Sequence, residues 1–148
     1  MIRIVVAEDN AGDVVLIREA LNQTGIAYEL IVLRDGQKML HYLDQMDAGE
    51  VLCPDVVLLD LNLPKKSGEV LLARLRQSPV GGQVPVVVVT SSDLTTDREK
   101  MTRLGANSYF RKSSDYDEFM QLGSIVKKAV TGGAERNSPG ESGSEGAC

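Results

Sequence analysis

Five short apolar runs recur along the chain, and each is followed by a stretch whose apolar side chains fall at helical spacing. The runs lie near residues 2–7, 28–33, 55–60, 85–90 and 107–111. The first four are rich in Val, Ile and Leu and bounded by turn residues, the pattern of strands buried in a parallel sheet, and the fifth is built on Tyr109 and Phe110. Between them, Val14, Ile17 and Leu21 set an apolar stripe on a helix predicted over 13–24, and Met39, Leu43 and Met46 do the same over 36–47. Further helices are predicted over 67–77, 94–104 and 115–130, the last with Phe119, Leu122 and Val126 on one side. Gly25, Pro54, Pro85 and Gly105 punctuate the ends of these elements. Repeated strand–helix units predict an α/β fold, a doubly wound five-stranded parallel sheet with five helices on its two faces.

The pattern stops at Thr131. From there to Cys148 the chain is rich in Gly, Ser and Glu and has no aliphatic or aromatic side chain larger than alanine. Such a segment cannot bury a core face, so one folded domain over 1–130 and a disordered tail over 131–148 are expected. The whole length of 148 residues suits one domain with a substantial core.

Charge and composition narrow the function classes. A net charge of −5 and a pI near 4.9 argue against a nucleic-acid surface, where a clustered basic face is expected. No apolar run approaches the ~20 residues of a membrane span, and the first residues read as a strand ending in acids rather than a signal peptide. Cys53 and Cys148 have neither metal nor redox spacing, which suits a reduced, cytoplasmic setting.

The candidate chemistry lies at the strand ends. The first strand ends in Glu8-Asp9, the third in Asp60, the fourth in Thr90-Ser91 and the fifth in Lys112. In a parallel sheet these ends lie together, on the edge where open α/β sheets bind ligands. Three carboxylates held close repel one another, and a hard divalent cation relieves the repulsion. Mg²⁺ fits that role, with Glu8, Asp9 and Asp60 as carboxylate ligands and the main-chain carbonyl of Asn62 as a further one. A phosphoryl group on Asp60 would then be countered by Mg²⁺ and Lys112, with Thr90 donating a hydrogen bond.

With these residues in view, the chain resembles the response-regulator receiver domains of two-component signalling. The likeness rests on Glu8-Asp9, Asp60-x-x-x-Pro64-x-x-x-Gly68, Thr90, Tyr109 and Lys112, in that order and each tied to its own strand. It covers residues 1 to about 130. The resemblance implies a flavodoxin-like strand order 2-1-3-4-5, Asp60 as phosphoacceptor, Thr90 and Tyr109 as the switch pair, and a histidine kinase as phosphodonor. It also implies a signalling protein that assists its own phosphorylation and dephosphorylation rather than an enzyme of metabolism. Leu30 to Gly36, Asp60 to Lys66 and Lys112-Ser113 are similar to the stand-alone regulators that partner phytochrome-type kinases, so a bacteriophytochrome is the expected partner. Receivers usually carry proline after the lysine, and Ser113 departs from that, leaving the loop after the fifth strand open. In the family, the face made by the fourth helix, fifth strand and fifth helix often forms homodimers. Leu94, Met101, Tyr116 and Phe119 are the candidate contacts there. The tail is too short for a DNA-binding output domain, so a single-domain regulator is expected.

Plainer readings stand beside these. Asp60 could cap the next helix, Asp13 resembles an acid of the same loop but capping explains it equally well, and Tyr109 could be a half-buried strand aromatic. His41 reads as a surface or boundary residue, and Lys65 and Lys66 as solvated. Among rival functions, a phosphatase that forms an aspartyl-phosphate would use an acid two residues after its nucleophile, where this chain has Asn62. The same residues also suit a phosphorelay intermediate or a phosphate-independent binding module.

Overall fold

A computed structural model describes residues 1–136, with side chains described to Gly132; the predicted tail from Asn137 to Cys148 lies outside the described residues. Five strands, β1 (Ile2–Ala7), β2 (Tyr28–Leu33), β3 (Val56–Leu59), β4 (Val86–Thr90) and β5 (Ser108–Arg111), form one sheet. All neighbours are parallel and the order is 2-1-3-4-5, as expected from the sequence. The helices are α1 (Ala11–Asn22), α2 (Gly36–Asp47), α3 (Gly68–Arg76) and α4 (Thr95–Arg103), then a fifth in two segments, α5 (Tyr116–Met120) and α6 (Leu122–Arg136).

Alternation along the strands divides the core. Val5, Ala7, Val57, Leu59, Val86 and Val88 pack on one face with Met39 and Leu43 of α2, Leu71, Leu72 and Leu75 of α3, and Met101 of α4. Ile4, Val6, Val56, Leu58, Val87 and Val89 pack on the other with Ile17 and Leu21 of α1 and with Phe119, Leu122 and Val126 of the last helix. The central strands β3 and β4 are buried throughout, whereas the edge strand β5 buries only Phe110.

Four of the helix starts are written in the sequence. Asn10, Asp35, Ser67 and Asp115 each accept a hydrogen bond from a main-chain N–H in the first turn of α1, α2, α3 and α5. By contrast, α4 begins at Leu94 with no side-chain cap and buries only Met101. Few apolar anchors and no cap make α4 the least firmly held of these helices.

Two expectations need correcting. Met101 and Phe119 are 3% and 1% exposed, so they belong to the core and not to a contact face. Phe119 meets Phe110 edge to face, ring centroids 5.6 Å apart. Leu94 and Tyr116 do reach solvent, at 60% and 47% exposure. The last helix also runs six residues past Val130, to Arg136. Extending a formed helix needs only propagation, without a new nucleus, so poor core-forming residues can follow a good helix.

Candidate functional site

Main-chain hydrogen bonds between neighbouring strands bring the candidate residues to one edge. Ala7 is paired with Leu59 in the β1–β3 register, and the Asp60 N–H donates to the Ala7 carbonyl at 3.1 Å. Glu8 and Asp60, each one residue beyond its strand, therefore sit side by side. Across the other half of the sheet, Lys112 N–H donates to the Thr90 carbonyl at 2.7 Å. Gly68 lets α3 begin close beneath this edge: a Cβ there would lie 2.8 Å from both the Asp60 carbonyl oxygen and the Leu61 Cα. Lys65 takes a left-handed φ of 75°, and Lys66 N–H closes a tight turn onto the Pro64 carbonyl at 2.9 Å. Lys65 reaches Asp35 at 3.6 Å, whereas His41 lies on the exposed side of α2.

At the edge, carboxylate oxygens of Glu8, Asp9 and Asp60 lie within 4.8 Å of one another. Glu8 and Asp60 are buried and Asp9 is exposed, so the group opens to solvent on the Asp9 side. The Asn62 N–H holds Asp60 Oδ1 at 3.1 Å, and the Asn10 N–H holds Glu8 Oε2 at 3.1 Å. Lys112 Nζ stands among three acids: 2.8 Å from Glu8 Oε1, 2.8 Å from Asp13 Oδ2 and 3.1 Å from Asp60 Oδ2. Its contact with Glu8 is an ion pair out of line for a hydrogen bond, which leaves the buried Glu8 Oε1 without a hydrogen-bond donor.

Electrostatics follows from that crowding. Burial pushes the Glu8 carboxyl up to about 7, and the nearby Asp60 charge adds to the rise, while Lys112 and the Asn10 N–H pull against it. Lys112 is held well above the usual lysine range, because its three carboxylate neighbours outweigh the burial that opposes its charge.

The donor set fits a hard divalent cation. All its oxygens are carboxylate, two of its three acids are buried, and one side is open for water.

The switch candidates lie beside this group. Thr90 is fully buried, and its Oγ1 accepts from Ser92 N–H at 3.4 Å. Tyr109 points toward the loop after β4, its hydroxyl donating to the Ser92 carbonyl at 3.0 Å. The Arg98 guanidinium lies 5.3 Å from the centre of its ring. Ser92 Oγ in turn donates to Asp97 Oδ2 at 2.6 Å. Ser92 thus touches both switch candidates, although as one of several hydroxyls in a loop it carried no signal of its own.

Asp13 was the other residue that sequence reasoning placed only loosely. The capping explanation fails, because Asn10 caps α1 by accepting from the Asp13 N–H at 2.9 Å. The freed Asp13 carboxylate turns to Lys112. The position usually held by proline is also accounted for: Ser113 Oγ accepts from Asp115 N–H at 3.0 Å and donates to Glu118 Oε1 at 2.6 Å. A serine turn leading into the capped α5 shapes the loop there.

A doubly wound sheet of this order, with acids, a buried hydroxyl and a lysine on one edge, defines a receiver. Residues 4–123 match the response regulator receiver domain, and the chain belongs to that family. It is similar to the response regulator Rcp1 of Synechocystis sp., 38% identical over 120 residues that span 80% of this chain and 82% of that protein. The solved Mn²⁺-bound form of Rcp1 matches with a TM-score of 0.77 at 34% identity, over 86% of this chain and 93% of that one. The phosphorylated cyanobacterial phytochrome response regulator RcpA matches with a TM-score of 0.79 at 34% identity, over 88% and 94%.

Proposed function

We propose that this receiver takes a phosphoryl group onto Asp60 from a phosphohistidine of a histidine kinase, in a step that requires Mg²⁺. The observation that carries the reading is the Asp60 carboxylate itself, buried at the end of β3 and held by Lys112 and by the Asn62 N–H. A carboxylate oxygen forms the new P–O bond as the P–N bond breaks and the imidazole leaves. Glu8, Asp9 and Asp60 would hold the cation, with the Asn62 carbonyl as a further ligand. Bound there, Mg²⁺ supplies positive charge to the phosphoryl oxygens. Lys112 brings a second positive charge, and the Thr90 hydroxyl donates to a phosphoryl oxygen. Positioning of charge is most of what such a transfer asks of a protein, and the same groups assist the later hydrolysis.

The phosphoryl group adds a charge of about −1.5 to −2. Thr90 shifts toward it and releases Ser92 N–H, Tyr109 leaves the Ser92 carbonyl and turns inward, and the face of α4, β5 and α5 is remodelled. Loose anchoring of α4 by Met101 alone supports that element as the one that moves. Leu94 and Tyr116 are the exposed apolar residues that a homodimer through this face would cover. Similarity to RcpA, a cyanobacterial phytochrome response regulator, supports a phytochrome-type kinase as the partner. Asn62, in the position where a phosphatase would need its acid, supports phosphoacceptance without turnover of phosphate esters.

Intact mass after incubation with acetyl phosphate and Mg²⁺ tests this. The wild type gains one phosphate and Asp60→Asn gains none, with a shift in size-exclusion elution if the phosphorylated form dimerises. Equal modification of both chains would remove Asp60 as the acceptor.

A further inference from the structure

Lys112 has more partners than its part in phosphoryl transfer requires. Two of its three acids, Glu8 and Asp60, belong to the carboxylate group that suits a divalent cation. The ammonium group and a cation on these carboxylates would therefore compete for the charge of the same two acids. A cation on Glu8 and Asp60 would repel it and loosen its hold on these acids, since two positive charges would share them. Asp13 is the third partner. It lies outside the three-carboxylate group, projects from the first turn of α1, and holds Nζ at 2.8 Å with its side chain 24% exposed.

We propose that Asp13 is a positioning residue for Lys112: it is the counter-anion that keeps the ammonium group when a divalent cation takes over Glu8 and Asp60. The inference rests on the cation site described above. Asp13 lowers the cost of withdrawing Lys112 from the acids, because the lysine exchanges three partners for one instead of for none. It also leaves the ammonium group within reach of Asp60, ready for a phosphoryl group that arrives there. Asn10 is what frees Asp13 for this task, since it takes over the cap of α1.

Simple added negative charge predicts something different. An acid that merely raised the local negative potential would favour a cation by the same factor with or without the lysine. An acid acting through Lys112 loses most of its influence when the lysine is gone. A double-mutant cycle separates the two cases.

Mg²⁺ affinity is measured by calorimetry for the wild type, Asp13→Asn, Lys112→Met and the double variant; methionine keeps the length of the stem. Asp13→Asn is expected to weaken Mg²⁺ binding roughly tenfold in the wild type and only about twofold in the Lys112→Met background, within the usual range of coupled contacts. Equal factors in the two backgrounds would overturn the proposal. A crystal structure of the wild type soaked in MnCl₂ gives a second readout free of any folding defect. Lys112 Nζ should remain on Asp13 and leave Glu8, and finding it detached from Asp13 would overturn the proposal. Absence of Mg²⁺ binding by the wild type would instead count against the cation site itself, and the proposal would fall with it.

Discussion

Replacing Glu8 by glutamine isolates the electrostatic cost of keeping this acid buried. The side chain is 1% exposed, and burial lifts its carboxyl from an ordinary 4.5 to about 7 in the cation-free protein. Because the folded value is the higher one, the folded state holds a proton that the unfolded state has already lost between those two pH values. Stability must therefore fall as pH rises through that window, being fully present below 4.5 and lost once pH passes about 7. At about 1.4 kcal/mol per pH unit, the interval amounts to roughly 3 kcal/mol. Glutamine has the shape of the protonated acid and does not titrate, so it should lack the slope.

Urea unfolding followed by circular dichroism, with a chelator present, reads this directly. At pH 5 the wild type and Glu8→Gln should be nearly equal in stability. At pH 8 the variant should be more stable, by up to roughly 3 kcal/mol. Adding Mg²⁺ at pH 8 should stabilise the wild type and do much less for the variant, because the cation relieves a cost that glutamine no longer carries. A wild-type stability that rises between pH 5 and 8 relative to the variant would refute the reasoning. It would mean that the Lys112 ion pair outweighs burial at Glu8.

Three more outcomes rest on particular contacts. Arg98→Ala removes the cation above the Tyr109 ring, a contact worth about 0.5–1 kcal/mol at exposed sites; the inward population of Tyr109, followed by NMR of its ring, should rise roughly two- to fivefold, and an unchanged spectrum would show that the Ser92 hydrogen bond alone holds the ring. Gly68→Ala sets a Cβ 2.8 Å from the Asp60 carbonyl oxygen, so unfolding stability should drop by about 1–3 kcal/mol and phosphorylation by acetyl phosphate should slow; wild-type values for both would mean that α3 can withdraw freely. Arg76→Met strips donors from the carbonyls of Gly82, Val84 and Gly105, which should cost roughly 2–4 kcal/mol without altering Mg²⁺ affinity, and a stability loss below ~0.5 kcal/mol would show that water replaces the guanidinium.

What could be read in the chain before its fold was known depended on whether a signal was local. Strand positions were legible because Val-rich runs bounded by turn residues have few other uses, and parallel pairing then required Glu8, Asp60, Thr90 and Lys112 to share an edge. Periodicity was less able to say which way a helix faces when the helix carries one large apolar residue. Met101 is the single buried residue of α4, and its burial comes from its partners across the sheet, which no local pattern reports. Asp13 shows the same limit at the site. Locally it read equally well as a cap of α1, a role that Asn10 takes. What gives Asp13 its partner is Lys112, 99 positions along the chain, whose place beside α1 follows from the sheet order. A lysine at the end of β5 can meet an acid in the first turn of α1 only because β1 and β3 carry their own acids to the same edge. The role of Asp13 is thus a product of topology, and it could be read only after the fold had put three acids around one ammonium group.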